Sequence, residues 1–459
     1  MDKKMMTIIA VVAVVAVVAI AAVVLTSGGK DTSKSDVRYG LQVMGNADED
    51  TTISQKDVNI IEDIAAGKLQ FKDYPYADAN NDGKVDSKDV ELTKKILNRE
   101  KGTVIYIKNY DPTTDDMSQK VIPVTYPISK IVPFGVNVVE PIIAIDGGKV
   151  VAGYFTKSYP NQEASMKGED LKAKSSREIG DEAWKNFVTL DSKVGVDAFI
   201  ISYDNKAQLK DTYVEDLESA EIPIICYPAA IPDGEISAAL TIGFLIGGES
   251  EKLGQKYAEI YEEVLNKVES ALKDVKEKER SSFLSMIMYA SICQNDSNYN
   301  YNGMPAGGIP YYKIDADFAE KYKGTGSTAL STVEAMADLH PDKVLNYRSI
   351  DQTTSSAEIE AEIVDAWEHQ NSKKISAQML FEHAEFDNDD FYFISNILPA
   401  AAKVAYSAHI LYSDKFSADW ADSILQKYID GNFTSYKGMT IAENFVTIFN
   451  YQDYLDQKA

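Results

Sequence analysis

From Lys130 onward the chain alternates between short apolar runs and longer amphipathic stretches. KIVPFG, KVVAGYF, DAFIIS and IPIICYPA have the length and β-branched content of buried strands. Between them NVVEPIIAID and LKDTYVEDLESAE carry apolar positions at helical spacing, so a βαβ series ends near Ala230 and implies a lobe with a largely parallel sheet. A second series begins at Phe283 with FLSMIMYAS, KVLNYR and KISAQMLFEH, with helical patterns between them and a helical end from Phe393 onward. Residues 249–279 separate the two series. They hold no proline and one glycine, and Leu253, Tyr257, Ile260, Tyr261, Val264, Leu265, Val268 and Leu272 fall on one helical stripe. At about 1.5 Å per residue such a helix is roughly 45 Å long, enough to connect two α/β lobes and to limit their closure.

The N-terminus has a different pattern. Lys3 and Lys4 precede the unbroken apolar run IIAVVAVVAVVAIAAVVL at residues 8–25. That is near the minimum length for a membrane-spanning helix, and the lysines favour an inside N-terminus, so the rest of the chain is expected to face outward. A cleaved signal peptide is the alternative, but its apolar core is usually shorter. The 459 residues include 71 acidic and 46 basic side chains, a formal charge of -25, which repels nucleic acid and anionic lipid. Two cysteines, Cys226 and Cys293, exclude a disulfide framework and a cysteine-rich zinc site.

Residues 78–89, DANNDGKVDSKD, place Asp78, Asn80, Asp82 and Asp89 at the first, third, fifth and twelfth positions of a loop. Residues 46–57, NADEDTTISQKD, repeat the spacing with Asn46, Asp48, Asp50 and Asp57. Calcium needs six to eight hard oxygens on a curled backbone, which these side chains supply together with the main-chain carbonyls of Thr52 and Lys84. Ile53 and Val85, at the eighth place, are expected to pack the loops together. Thr51 stands where glycine makes the sharp turn in the second loop. A helical pattern follows each loop and none precedes it, since GLQVMG is short and Pro75 interrupts the second approach.

This repeated half-motif, a loop plus its exiting helix, resembles the dockerin domain over residues 39–101. The resemblance implies a small all-α module with two calcium ions, and binding to a cohesin-bearing partner through Gln55 and Lys56 in one repeat and Ser87 and Lys88 in the other. The two pairs differ, which argues against a symmetric dual mode.

The order of segments beyond residue 121 also carries a resemblance. KIVPFGVNVVEPIIAIDGGKVVAGYF, IPIICYPA, then ISAALTIGFLIGGESEKLGQKYAEIY, with STVEAMADLHPDKVLNY and SAHILYSDKFSADWADSILQKYI further on, is similar to the substrate-binding proteins of iron-siderophore, heme and cobalamin ABC importers, the group with a helical backbone between lobes. The implied layout is a membrane segment at 1–30, the dockerin-like module at 39–101, a first lobe at 121–234, a connecting helix at 235–280 and a second lobe at 281–459. The resemblance further implies a permease partner docked through an acidic residue on each lobe. Glu334 matches that pattern in the second lobe; Asp191, or alternatively Glu182, is the nearest match in the first.

Ligands of two-lobe α/β binders lie outside the carboxyl ends of the strands. That points to Gly135, Val136 and Asn137, to Tyr154, Phe155 and Tyr159, to Tyr203 and Tyr227, and in the second lobe to Asn298, Tyr299, Tyr301 and Asn302. Tyrosine gives area plus one hydrogen bond at small entropic cost, which suits a large flat ligand. All four histidines (His340, His369, His383 and His409) fall in the second lobe, which disfavours a bare transition-metal ion. The reading is a non-enzymatic, membrane-tethered cell-surface binder with no catalytic cofactor. The alternatives are a dockerin-bearing polysaccharide-degrading enzyme, or a surface scaffold component. HExxH, GxSxG and GxxxxGK[ST] are absent, Trp184, Trp367 and Trp420 do not cluster in sequence, and paired carboxylates stay open.

Overall fold

The computed structural model describes residues 39–114, 118–155, 165–174, 178–229, 232–276, 281, 283–287, 291–292, 342–348, 388–395, 398–444, 447–450 and 452. The apolar run at 8–25, Tyr159, Cys293, Asn298, Tyr299, Tyr301, Asn302, Glu334, KISAQMLFEH and three of the histidines lie outside them. No helix among the described residues is long and apolar enough to cross a membrane.

The two loops lead into α1 (Gln55–Ala65) and α2 (Ser87–Leu97). Each helix opens with a reciprocal capping box, Ser54 with Asp57 and Asp86 with Asp89, so the last loop residue also closes the first helical turn. Gly67, at φ 73°, ends α1 as its sequence position indicates.

An antiparallel hairpin follows, β1 (Val104–Tyr110) and β2 (Gln119–Thr125). Next come β3 (Ile131–Phe134), α3 (Val136–Ala144), the short parallel pair β4 (Gly153–Tyr154) and β5 (Glu169–Asp170), α4 (Asp181–Val194), β6 (Ala198–Ser202), α5 (Asp211–Ser219) and β7 (Ile224–Tyr227). β3, β6 and β7 form a parallel sheet in that order. Its strands are apolar on both faces because both are covered. Ile131, Ala198, Ile200 and Ile225 face α3 and the main core, whereas Val132, Phe134, Phe199 and Ile201 pack with Trp184, Phe187 and Tyr213 of α4 and α5. KVVAGYF departs from its predicted strand. Gly147–Val150 is a 3-10 turn, Val151 makes a single bridge to Ile131, and two residues form β4. Asn109 ties the hairpin to the sheet, donating to the Ile224 carbonyl (3.0 Å) and accepting from the Cys226 amide (2.6 Å).

α6 (Pro232–Ile246) and α7 (Glu249–Leu272) make a helical hairpin. α6 is apolar and buried all round, and α7 runs 24 residues on the predicted stripe, ending before residue 279. Close approach requires glycine at two points: a Cβ on Gly243 would meet the Ser250 carbonyl at 2.6 Å, and one on Gly254 the Ala239 carbonyl at 2.7 Å.

The C-terminal part contributes β8 (Phe283–Ile287), β9 (Ser291–Ile292), β10 (Lys343–Arg348), β11 (Phe391–Ser395), α8 (Ala400–Leu411), α9 (Ala418–Asp430), α10 (Ile441–Asn444) and β12 (Ile448–Asn450). Its sheet order is β12-β11-β10-β8-β9, parallel at the centre and antiparallel at both edges. The helical end predicted from Phe393 begins only at Ala400, because FYFIS is a buried strand. α8 and α9 pack on α7. Glu235, 4% exposed, gathers three helices: it accepts from the Tyr257 hydroxyl (2.5 Å) and the Ala400 amide (3.0 Å), and pairs with Lys403 (3.4 Å). A buried carboxylate with three donors is held firmly, and removing Lys403 would leave its charge uncompensated.

The loop module joins the same core. Tyr39 packs on Tyr261 with ring centroids 5.2 Å apart, Gln42 donates to Thr241 Oγ1 (3.1 Å), and Arg99 grips Glu251 of α7 while its guanidinium lies 4.3 Å from the Phe244 ring centre. Tyr39, Leu41, Val43, Ile53 and Ile96 are buried with residues of α6 and α7, while Ala47, Ile60, Ile61, Ile64 and Ala77 form a small core of the module's own. Ile53 therefore belongs to the shared core, and Val85 packs against the module's own.

Candidate cation site and adjoining cavity

Both loops fold on one hydrogen-bond scaffold. The twelfth-position aspartate accepts two loop amides: Asp57 takes Asp48 N–H (3.2 Å) and Ser54 N–H (2.7 Å), and Asp89 takes Asn80 N–H (3.1 Å) and Asp86 N–H (2.8 Å). The third-position side chain accepts from the fifth amide, Asp50 to Asp48 (3.2 Å) and Asp82 to Asn80 (2.9 Å). The fifth accepts from the seventh, Thr52 to Asp50 (2.7 Å) and Lys84 to Asp82 (3.1 Å). Glu49 and Asn81, both at the fourth place, adopt left-handed φ of 61° and 56°.

They diverge at the sixth place. Gly83 takes φ 85° and donates to Asp78 Oδ2 (2.7 Å). Thr51 is not left-handed, and Asn46 instead donates its amide to the Leu41 and Asp50 carbonyls (2.9 and 2.8 Å). Burial diverges too: Asn46 and Asp48 are fully buried, whereas residues 81–84 of the second loop are exposed.

The first loop fits a hard cation. With its amide nitrogen doubly engaged, Asn46 presents Oδ1, which is buried and accepts no hydrogen bond. Such an atom needs a donor or a metal. Burial, followed by the nearby Asp48 carboxylate, pushes Asp50 up to about 6 and Asp57 up to about 8. Asp89 is likewise raised, first by burial. Lys56 Nζ stands 3.1 Å from Asp48 Oδ2, close enough for an ion pair although no hydrogen bond aligns there. No three carboxylate, imidazole or thiol groups converge as a metal-holding cluster among the described residues, and Asn80 Oδ1, unlike Asn46 Oδ1, already accepts a loop amide.

Of the residues expected to touch a cohesin, Gln55, Ser87 and Lys88 are exposed and Lys56 is half-buried on Asp48.

The cleft residues separate into two groups. Asn137, in the first turn of α3, and Tyr154, at the end of β4, are half-buried. Phe155, Tyr203 and Tyr227 are corrections, since each is taken up by the interior. Phe155 lies about 6 Å from the rings of Phe134, Trp184, Phe187 and Phe199. The Tyr203 hydroxyl donates to the Thr114 carbonyl (2.8 Å), and Tyr227, fully buried, reaches the Lys108 carbonyl (3.4 Å). Burying such a ring stabilises the fold by roughly 1.5–3 kcal/mol. Gly135, at φ 105°, leaves no room for a side chain, which would meet Asn205 Oδ1 at 2.3 Å. Asp191 closes α4 by accepting the Val196 amide (2.8 Å), while Glu182 is exposed. Cys226 is a buried thiol in the sheet core. His409 Nδ1 lies 2.8 Å from the Phe416 carbonyl oxygen.

Sequence reasoning missed a cavity of about 230 Å³ between the first loop, the hairpin and the start of α6, lined by Tyr39, Gln42, Glu49, Tyr76, Tyr110 and Asp233 among others. Its walls come from segments nearly 200 positions apart, so no local spacing announces it.

No family model matches the sequence, and no curated protein does. Among solved structures the chain is similar to the TroA-like periplasmic binding protein FepB from Veillonella parvula, at 14% identity, TM-score 0.49, covering 75% of this chain and 99% of that one. It is similar to an ABC transporter solute binding protein from Sulfurospirillum deleyianum, at 12% identity, TM-score 0.48, covering 73% and 97%. A periplasmic heme binding protein from Pseudomonas aeruginosa matches at 15% identity, TM-score 0.42, covering 62% and 93%. All three of these TM-scores lie below 0.5 and all three identities below 25%.

Proposed function

We propose that the chain is the extracellular substrate-binding component of an ABC importer, capturing an iron-siderophore, heme or cobalamin-type ligand between two lobes. The supporting observation is α7, one continuous 24-residue helix between a parallel sheet and a mixed one, with α8 and α9 packed along it. Such a connector permits little hinge closure, which suits a preformed cleft for a rigid, bulky chelate. The apolar run at 8–25 would tether it to the membrane, and Glu334 with Asp191 or Glu182 would orient it on a permease.

In this reading the two loops hold calcium through Asn46, Asp48, Asp50, Asp57 and the Thr52 carbonyl, and through Asp78, Asn80, Asp82, Asp89 and the Lys84 carbonyl. Calcium would supply the positive charge these oxygens lack. Cohesin attachment falls to the second repeat, whose Ser87 and Lys88 are exposed beside an open loop. Attachment would raise local concentration near a scaffold.

The test is an absorbance and thermal-shift titration of the purified chain, in calcium, with ferric siderophores, heme and cobalamins. Saturable, stoichiometric stabilisation by one of them is the expected result. Silence from all three, or turnover of any, would overturn it.

A further inference from the structure

The cavity beside the first loop does not suit the proposed cargo. At about 230 Å³ it is below the roughly 300–1,000 Å³ of sites for drug-sized ligands, far too small for heme or a corrinoid. Its chemistry is specific nonetheless. Three phenol rings, Tyr39, Tyr76 and Tyr110, and two carboxylates, Glu49 and Asp233, line it, and among the described residues no lysine, arginine or histidine does.

Each wall is fixed by the fold. Glu49 projects from the left-handed fourth position of the first loop, and Gly40 beneath it has no space for a side chain, which would meet the Glu49 carbonyl at 2.8 Å. Gln42 is locked at the rim, accepting from the Tyr76 hydroxyl (2.7 Å) and donating to the Gly40 carbonyl (2.9 Å). Asp233 is oriented by the Tyr261 hydroxyl (2.8 Å). Asp233 and Glu235 in the first turn of α6 also answer the positive end of that helix, so it does not call for an anion.

We infer that this cavity binds a small organic cation, an ammonium carrying alkyl groups. Aromatic faces attract a cation and cover its alkyl coat, and the carboxylates balance its charge. Tyr76 already serves this way on one face, where Lys108 Nζ lies 5.2 Å from the ring centre. A bare metal ion fits poorly, because only two carboxylates line the cavity, Asp233 already accepts the Tyr261 hydroxyl, and no three carboxylate, imidazole or thiol groups converge as a metal-holding cluster among the described residues. The inference is independent of which cargo the lobes carry.

The experiment is calorimetric titration of the full-length chain, in saturating calcium, with choline and with its neutral isostere 3,3-dimethyl-1-butanol. Choline should bind saturably at one site and the isostere at least tenfold more weakly. Glu49→Gln and Asp233→Asn should each weaken choline severalfold with calcium stoichiometry unchanged. Tyr110→Leu should weaken it while Tyr110→Phe, which keeps the ring, should not. Equal binding of choline and its isostere, retention of affinity in both charge-removing variants, or no saturable binding of choline or tetramethylammonium at millimolar concentration would each overturn the proposal.

Discussion

The two loops share one sequence spacing and one set of amide-to-carboxylate bonds, yet they occupy opposite environments. The first is buried against the helical hairpin, and Gln255 reaches Thr52 Oγ1 (3.4 Å) from α7. The second leaves residues 81–84 in solvent. Loop geometry is therefore a local property, whereas its burial is set by the neighbours. Occupying the first loop should stabilise the whole chain; occupying the second should stabilise mainly its own helix.

The largest expected effect comes from calcium and pH together. Asp57 and Asp50 bind protons more readily folded than unfolded, having been raised to about 8 and about 6 from an unfolded value near 4. The calcium-free fold then holds the extra protons, so its stability falls as pH rises from about 4 through 6 towards 8. Calcium needs those carboxylates ionised and should reverse the loss. Thermal denaturation in calcium and in chelator at pH 5, 6, 7 and 8 should give a gap that widens with pH. A gap that narrows would remove the first loop as a calcium site.

Arg99→Ala tests the anchoring of the module. It deletes a charged pair with Glu251 and the contact with Phe244, and should lower stability by about 2 kcal/mol in denaturant melts. First-loop calcium affinity should fall and second-loop affinity should hold; an equal fall in both would erase the distinction between the loops.

Smaller effects should come from the caps. Ser54→Ala and Asp86→Ala each remove a capping box and should cost about 1 kcal/mol. The first should register in global unfolding and the second in hydrogen exchange confined to α2. The smallest contrast is Lys56→Met against Lys88→Met. Lys56 competes for Asp48, so its loss should tighten first-loop calcium two- to threefold, about 0.5 kcal/mol, with no counterpart at exposed Lys88. Calcium titration of each variant decides it.

Much of the architecture is legible from the sequence, and its failures have physical causes. The buried strands at 131, 198 and 224 read correctly because covered parallel strands are apolar throughout. VIYIKNY alternates in burial along β1, but the hairpin it forms with β2 is found only in the structure. The last three residues of FYFIS fall within the helical end expected from Phe393, since four apolar residues and a serine have no period of their own.

By itself the sequence determined the loop spacing, the capping residues, the stripe of α7 and the apolar character of the strands. All of these are relations between residues a few positions apart, where backbone geometry alone sets which side chains meet. Only the tertiary structure decided that Phe155, Tyr203 and Tyr227 fill the interior, that one loop is buried and the other open, and that Tyr39, Glu49, Tyr110 and Asp233 enclose a cavity. Those outcomes depend on which surfaces of distant segments come together, and burial, unlike periodicity, is a property of both surfaces at once.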